Sequence, residues 1–268
     1  MALENLTQEL IYTFKEGVAK LILNRPESRN AITMTMFAGI REVAEEVGRN
    51  DDVKVLIITG AGRGFCPGAD MSLLRDAVGG ETLGKAHNNL VEPFGYLSVI
   101  VRNLAKPIIG AINGAAVGAG LSIALLSDIR IASDQAKFGA FWVRMGLVPD
   151  YGGSYLLPWA VGLSKALELT LTGDLIDAYE AEKIGLISRV VPHEDLMKVT
   201  EELALKIAKG PSVAIELTKR GMCRALNNDL ETQLEFEGYG QNVCFKTEDF
   251  KEATSAFLEK REPHFRGL

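Results

Sequence analysis

The sequence predicts an α/β fold that runs into helices, and three observations carry that reading. Two apolar runs, Val55-Leu56-Ile57-Ile58-Thr59 and Pro107-Ile108-Ile109-Gly110-Ala111-Ile112, read as strands, and each feeds a glycine-rich turn. Strand and helix patterns alternate through the first half of the chain. After Gly152 the pattern becomes helix after helix, so an α/β core is followed by a helical C-terminal region.

In chain order, Leu10 to Phe14 and Val18 to Leu23 flank Lys15-Glu16-Gly17 and predict a hairpin, which Asn24-Arg25-Pro26 ends. Thr33 or Thr35 caps a helix to about Arg49, with Phe37, Ile40, Val43 and Val47 as its apolar stripe. Val53 to Thr59 is apolar apart from Lys54 and reads as a strand covered on both faces. A weak helix follows from Ser72 and a longer one spans about His87 to Leu104. Then come the Pro107–Ile112 strand, a short helix from Ala119 to near Ser127-Asp128, and short strands at Ile129 to Ala132 and Ala136 to Gly139. The later helices break at Gly162, Gly173-Asp174, Gly185 and Lys209-Gly210-Pro211, with one short strand from Gly185 to Val191.

Composition narrows the function. The 268 residues are 47% hydrophobic, enough for one large core with or without a helical extension. A formal net charge of −6 argues against a general nucleic-acid surface. No run of about 18 apolar residues predicts a membrane span. The start, Met1 to Gln8, lacks a basic segment followed by an apolar one, so no secretion signal is expected. Cys66, Cys223 and Cys244 have no metal-ligand spacing and read as free thiols in a reducing, cytoplasmic setting.

The chemistry centres on the turns. Glycine lets a backbone approach a ligand closely, and two such turns can aim two N–H groups at one oxygen, as an oxyanion hole does. Gly60-x-Gly62-x-Gly64 follows a strand but lacks dinucleotide-loop spacing. Gly120-Leu121-Ser122-Ile123-Ala124 is similar to a nucleophile elbow, and Asp150 with His193 or His264 would complete a hydrolase triad. The competing reading makes Ser122 a small packed helix residue. Asp150 lies in Gly146-Leu147-Val148-Pro149-Asp150-Tyr151-Gly152-Gly153. It reads either as a helix cap or as a carboxylate whose apolar neighbours raise its pKa toward that of a general base. Trp142, just upstream, can wall the same pocket. His87 reads as exposed, and Cys66 has no histidine nearby in sequence to activate it.

Taken together, several motifs identify the chain as similar to the crotonase, or enoyl-CoA hydratase/isomerase, superfamily. They are Asn24-Arg25-Pro26 with Asn30-Ala31, Gly68-Ala69-Asp70, Asn113-Gly114 with Gly118-Ala119-Gly120, Leu171-Thr172-Gly173, Ala181 to Gly185-Leu186, and Ser255-Ala256-Phe257 to Lys260-Arg261. The resemblance implies a ClpP-like crotonase fold: a repeated ββα spiral core over residues 1–205 and a helical trimerisation region over 206–268. It implies a homotrimer or dimer of trimers, and an acyl-CoA thioester substrate with no separate cofactor. The backbone N–H groups of Ala69 and Ala119 would hold the thioester oxygen. Gly68, Asp70, Gly118, Gly120, Ser122, Trp142 and Tyr151 would line the substrate site. Phe257 and Lys260 match a position that in relatives contacts the coenzyme A of a neighbouring subunit.

The departures set the reaction. Hydratases of this superfamily use two glutamates, and this chain has Ser122 and Trp142 at those places. Asp150 matches an aspartate of dienoyl-CoA isomerases and of the 1,2-epoxyphenylacetyl-CoA isomerase branch. That branch resembles this chain most, through Thr59 to Cys66, the Gly-Ala-Gly turn, Pro-Asp before Gly-Gly, and Leu156-Leu157-Pro158. An isomerase with an aspartate acid/base is therefore expected. The alternatives are a one-carboxylate hydratase, a thioester hydrolase, an aryl-CoA dehalogenase or a non-catalytic acyl-CoA-binding homologue. The 4-chlorobenzoyl-CoA dehalogenase shares Trp142 and Asp150 but needs a histidine where this chain has Gly95.

Overall fold

A computed structural model describes residues 6–78 and 96–267. Strands β1 (Leu10–Lys15) and β2 (Val18–Leu23) form the expected antiparallel hairpin. Helix α1 (Met34–Arg49) is capped by Thr33, whose Oγ1 accepts from the Met36 N–H at 3.0 Å. Strand β3 (Val55–Gly60) leads to α2 (Met71–Val78), and α3 (Tyr96–Asn103) precedes β4 (Ile108–Ile112). The part of the expected His87–Leu104 helix before Tyr96 lies outside the described residues, as does Gly95.

A two-residue strand, β5 (Ala116–Val117), separates β4 from α4 (Ala119–Leu125). Then come β6 (Ile129–Ser133), β7 (Lys137–Gly139), a 3₁₀ turn at Phe141–Met145, α5 (Gly153–Val161), α6 (Leu163–Thr172) and β8 (Leu175–Asp177). Helix α7 (Ala178–Lys183), β9 (Arg189–Val191) and α8 (Leu196–Ala208) follow, and α9 (Ser212–Ala225), α10 (Leu230–Cys244) and α11 (Glu248–Glu259) end the chain.

The main sheet has the order β1-β2-β3-β4-β6-β9 and is parallel from β2 onward. Its central strands are covered on both faces, as the unbroken apolar runs predict. Leu56 and Ile58 of β3 face the larger core with α1 and α4, whereas Val55 and Ile57 face a second core closed by Leu196 and Ala204 of α8. The expected boundary between residues 205 and 206 falls inside α8, and the chain leaves the sheet at Lys209-Gly210-Pro211. Among the described residues no helix is long and apolar enough to cross a membrane.

A smaller sheet, β5-β7-β8, forms a second layer. An isolated parallel bridge between Cys66 and Ala116 extends it. Two successive repeats therefore have the same plan: a long strand (β3 or β4), a short extended segment in the second layer, and a helix (α2 or α4).

Candidate active site

Ala69 and Ala119 occupy equivalent places in those two repeats, each three residues past the bridged pair Cys66 and Ala116. The paired segments are held by Cys66 N–H to Ala115 O at 2.9 Å and Val117 N–H to Cys66 O at 3.0 Å. The Gly68 carbonyl accepts from Ile32 N–H at 2.9 Å. In a trans peptide the next N–H points the opposite way, so the Ala69 N–H turns away from Ile32. The Gly118 carbonyl likewise accepts from Ser122 N–H at 3.1 Å, which turns the Ala119 N–H out of the start of α4. That start also carries the positive end of the helix dipole.

The glycines make this approach possible. Gly68 has φ 113° and Gly118 has φ 54° with ψ −124°, conformations that disfavour a side chain. The empty Cβ position of Gly68 lies only 3.8 Å from the Ala119 nitrogen. A Cβ on Gly120 would land inside the Cys66 carbonyl.

Asp150 reaches the same helix through its main chain. Its carbonyl accepts from Ser122 Oγ at 2.8 Å and from Gly153 N–H at 2.7 Å. Its carboxylate is not a helix cap, since Oδ1 accepts from Trp142 Nε1 at 2.8 Å. Burial pushes the Asp150 pKa above the ordinary carboxylate value, against the smaller opposing pull of the indole N–H. Next to it, Tyr151 has φ 46° and stacks on Phe37 with ring centroids 4.4 Å apart. Burial, then the neighbouring Asp150 charge, pushes the Tyr151 phenol upward as well.

Several residues expected to face substrate have their side chains committed to the protein. Ser122 is fully buried, and its hydroxyl is spent on Asp150. The Asp70 carboxylate binds Arg25 Nη1 at 2.8 Å and Ser72 N–H at 2.9 Å. The Ser72 amide and then Arg25 hold its pKa down at about 2. Trp142 is buried beside Gly153. Phe257 is 83% exposed and Lys260 caps the far end of α11, so both stand on the outer face of the C-terminal helices.

The triad alternative is not assembled. His193 Nδ1 pairs with Ser133 Oγ at 2.9 Å, and the His264 main chain is held by Glu252 in the C-terminal tail. The Cys66 thiol is pushed up to about 12 by burial, which keeps it protonated. Among the described residues no three His, Cys, Asp or Glu side chains gather as a metal site.

Sequence reasoning assigned no role to Asn30 and Asn113. Asn30 Nδ2 donates to Ala61 O at 2.9 Å and Gly64 O at 2.8 Å, while Asn113 Nδ2 donates to Gly62 O at 3.0 Å. These amides gather the carbonyls of the Gly60–Gly64 turn, so its inner face has the wrong polarity to cradle a phosphate. A buried amide side chain near a glycine turn was the available signal, because inward carbonyls need donors.

The two-layered α/β core, with Ala69 and Ala119 at matching places in successive repeats and the Asp150 main chain tied to the helix that begins at Ala119, is that of a crotonase-fold protein. The enoyl-CoA hydratase/isomerase family model matches residues 13–267, and the chain belongs to that family. It is 39% identical to the 1,2-epoxyphenylacetyl-CoA isomerase of Escherichia coli (strain K12) over 258 residues, covering 94% of this chain and 96% of that one. It is 38% identical to the short-chain-enoyl-CoA hydratase of Clostridium acetobutylicum, covering 92% of this chain and 94% of that one. The solved enoyl-CoA hydratase of Bacillus anthracis superposes with a TM-score of 0.85 at 30% identity, covering 97% of this chain and 100% of that chain.

Proposed function

We propose that the protein is an acyl-CoA isomerase that shifts a double bond, or rearranges a ring, next to a coenzyme A thioester. The observation that carries this reading is Asp150: a desolvated carboxylate whose main chain is tied to the helix that begins at Ala119. The thioester oxygen sits between the Ala69 and Ala119 N–H groups. Asp150 removes a proton from a carbon conjugated with the carbonyl, so the C–H bond breaks and an O–H bond forms on the carboxyl. The electron pair moves onto the thioester oxygen as an enolate. Asp150 then returns the proton to a different carbon, and no atom is gained or lost. Each amide of such a hole contributes about 3 to 4 kcal/mol to the transition state.

The missing hydratase glutamates, replaced by Ser122 and Trp142, favour isomerisation over hydration, although family members carry both kinds of name. We also infer a trimer or dimer of trimers, in which Phe257 and Lys260 serve a neighbouring copy. The exposed Leu163 and Leu171 of α6 and Leu234 of α10 support that assembly.

The test is a panel of enoyl-, dienoyl- and aryl-CoA thioesters, read by mass spectrometry in ordinary and heavy-oxygen water, with wild type and Asp150→Asn. Isomers without oxygen uptake, lost in Asp150→Asn while binding persists, are expected. Uptake of water, release of free coenzyme A, binding without turnover, or near-normal turnover in the variant would each overturn the reading.

A further inference from the structure

The proposed hole lies past the carboxyl ends of β3 and β4. At the opposite, amino ends of β4 and β6 is a separate cavity of about 480 Å³, and none of the proposed catalytic residues lines it. Its volume falls within the range of about 300 to 1,000 Å³ usual for small-molecule sites.

The cavity has a charged floor and an apolar mouth. Lys219 Nζ pairs with Asp128 Oδ2 at 2.7 Å and donates to Lys106 O at 2.9 Å. The same Asp128 oxygen accepts from Ile108 N–H at 2.7 Å. Arg130 gives two N–H groups to carbonyls, Nε to Leu186 O at 2.6 Å and Nη1 to Ser127 O at 2.5 Å. Arg102 joins these on the wall, and its charge bears on both Arg130 and Lys219. Three cations thus share one carboxylate. Arg102 has no ion-pair or hydrogen-bond partner among the described residues. The Ser127 hydroxyl, in a residue 2% exposed, also lacks a partner. Arg102 is only partly buried, so its guanidinium is accessible from the cavity and can take an acceptor that carries negative charge.

The remaining wall selects the rest of the ligand. Leu125 and Leu156 line the interior, and the half-exposed Trp159 and the exposed Met222 stand at the rim. A bare inorganic anion would leave that surface wet. We propose that this cavity binds a small amphipathic carboxylate, with its head on Arg102 and its tail against Leu156, Trp159 and Met222.

The probe is octanoate, titrated by calorimetry and by Trp159 fluorescence, with octanol as the uncharged match and with Arg102→Gln as the variant. Octanoate is expected to bind in the presence of saturating acyl-CoA. Its affinity should fall by about ten-fold or more in Arg102→Gln, the loss of a hydrogen bond to a charged group. Octanol should bind at least as poorly as octanoate does to the variant. Turnover and sedimentation mass should not change in Arg102→Gln. No octanoate binding, equal binding of octanol, unchanged affinity in the variant, or displacement by acyl-CoA would overturn the proposal. So would octanoate binding only when the assembly is dissociated, since a carboxylate of a second copy would then be the occupant.

Discussion

The indole Nε1 of Trp142 donates to Oδ1 of Asp150 at 2.8 Å, so the tryptophan steadies the charged form of the one carboxylate on which the proposed chemistry rests. Burial and this hydrogen bond push the Asp150 pKa in opposite directions, and burial wins. The base form is the one that removes the substrate proton.

Trp142→Phe keeps most of the packing and removes the donor. Asp150 then keeps its desolvation without the opposing hydrogen bond, and its pKa rises further. A hydrogen bond to a charged group is worth about 1.5 to 3 kcal/mol, or roughly one to two pH units. The acidic limb of kcat/KM against pH should move upward by that order, with activity recovered at high pH. A profile that stays in place would disconnect the indole from the base.

Asp150→Asn should abolish turnover and yet stabilise the fold at neutral and alkaline pH. A carboxylate whose folded pKa is raised favours folding while it is protonated, and that contribution is lost as pH rises through the raised value. The variant has no charge to desolvate. Thermal melts at pH 8 should show a higher Tm than wild type, and the difference should shrink by about pH 3 to 4, below the ordinary carboxylate range. A difference independent of pH would mean that ionisation of Asp150 does not strain the fold.

Ser122→Ala probes the link between helix and carboxylate. The variant removes the donor to the Asp150 carbonyl but leaves the Gly153 N–H on it. Stability should fall by about 1 kcal/mol in denaturant unfolding. The base then loses its tie to the helix that begins at Ala119, and kcat should fall by about ten-fold or more with KM little changed, since misplacement at the reacting centre is costly. Unchanged kcat would show that Ser122 only packs.

These relationships were unequally legible in the sequence. The buried strands β3 and β4 and the stripe of α1 carry their periods openly, whereas the desolvation of Asp150 comes with the buried Trp142 and Tyr151 while its apolar neighbours Leu147 and Val148 stand exposed. The β5 strand has two residues, and the bridge that aligns Ala69 with Ala119 has one on each side, so no periodicity can reveal them. The partner of Ser122 is a main-chain carbonyl 28 residues away, to which side-chain chemistry gives no clue. Asp70 and Arg25 stood in recognisable motifs, but their pairing across 45 residues needs the folded chain.

Gly120→Ala tests the hole without touching either donor. The added Cβ meets the Cys66 carbonyl, which is backbone and pinned by Val117 N–H, so it cannot swing aside as a side chain would. Either the start of α4 or the Cys66–Ala69 segment must move, and each carries one of the two amides. Overpacking of this kind costs about 1 to 3 kcal/mol or more in stability. Displacing one hole donor costs about 10²- to 10³-fold in kcat. Gly48→Ala on α1, where the new Cβ meets only the Leu104 side chain at an ordinary 3.4 Å, provides the control and should leave kcat unchanged. The decisive measurement is kcat at a temperature where calorimetry shows Gly120→Ala fully folded. A folded variant with wild-type kcat would remove Ala69 and Ala119 from the mechanism, whereas the expected loss ties the glycine turn to stabilisation of the enolate.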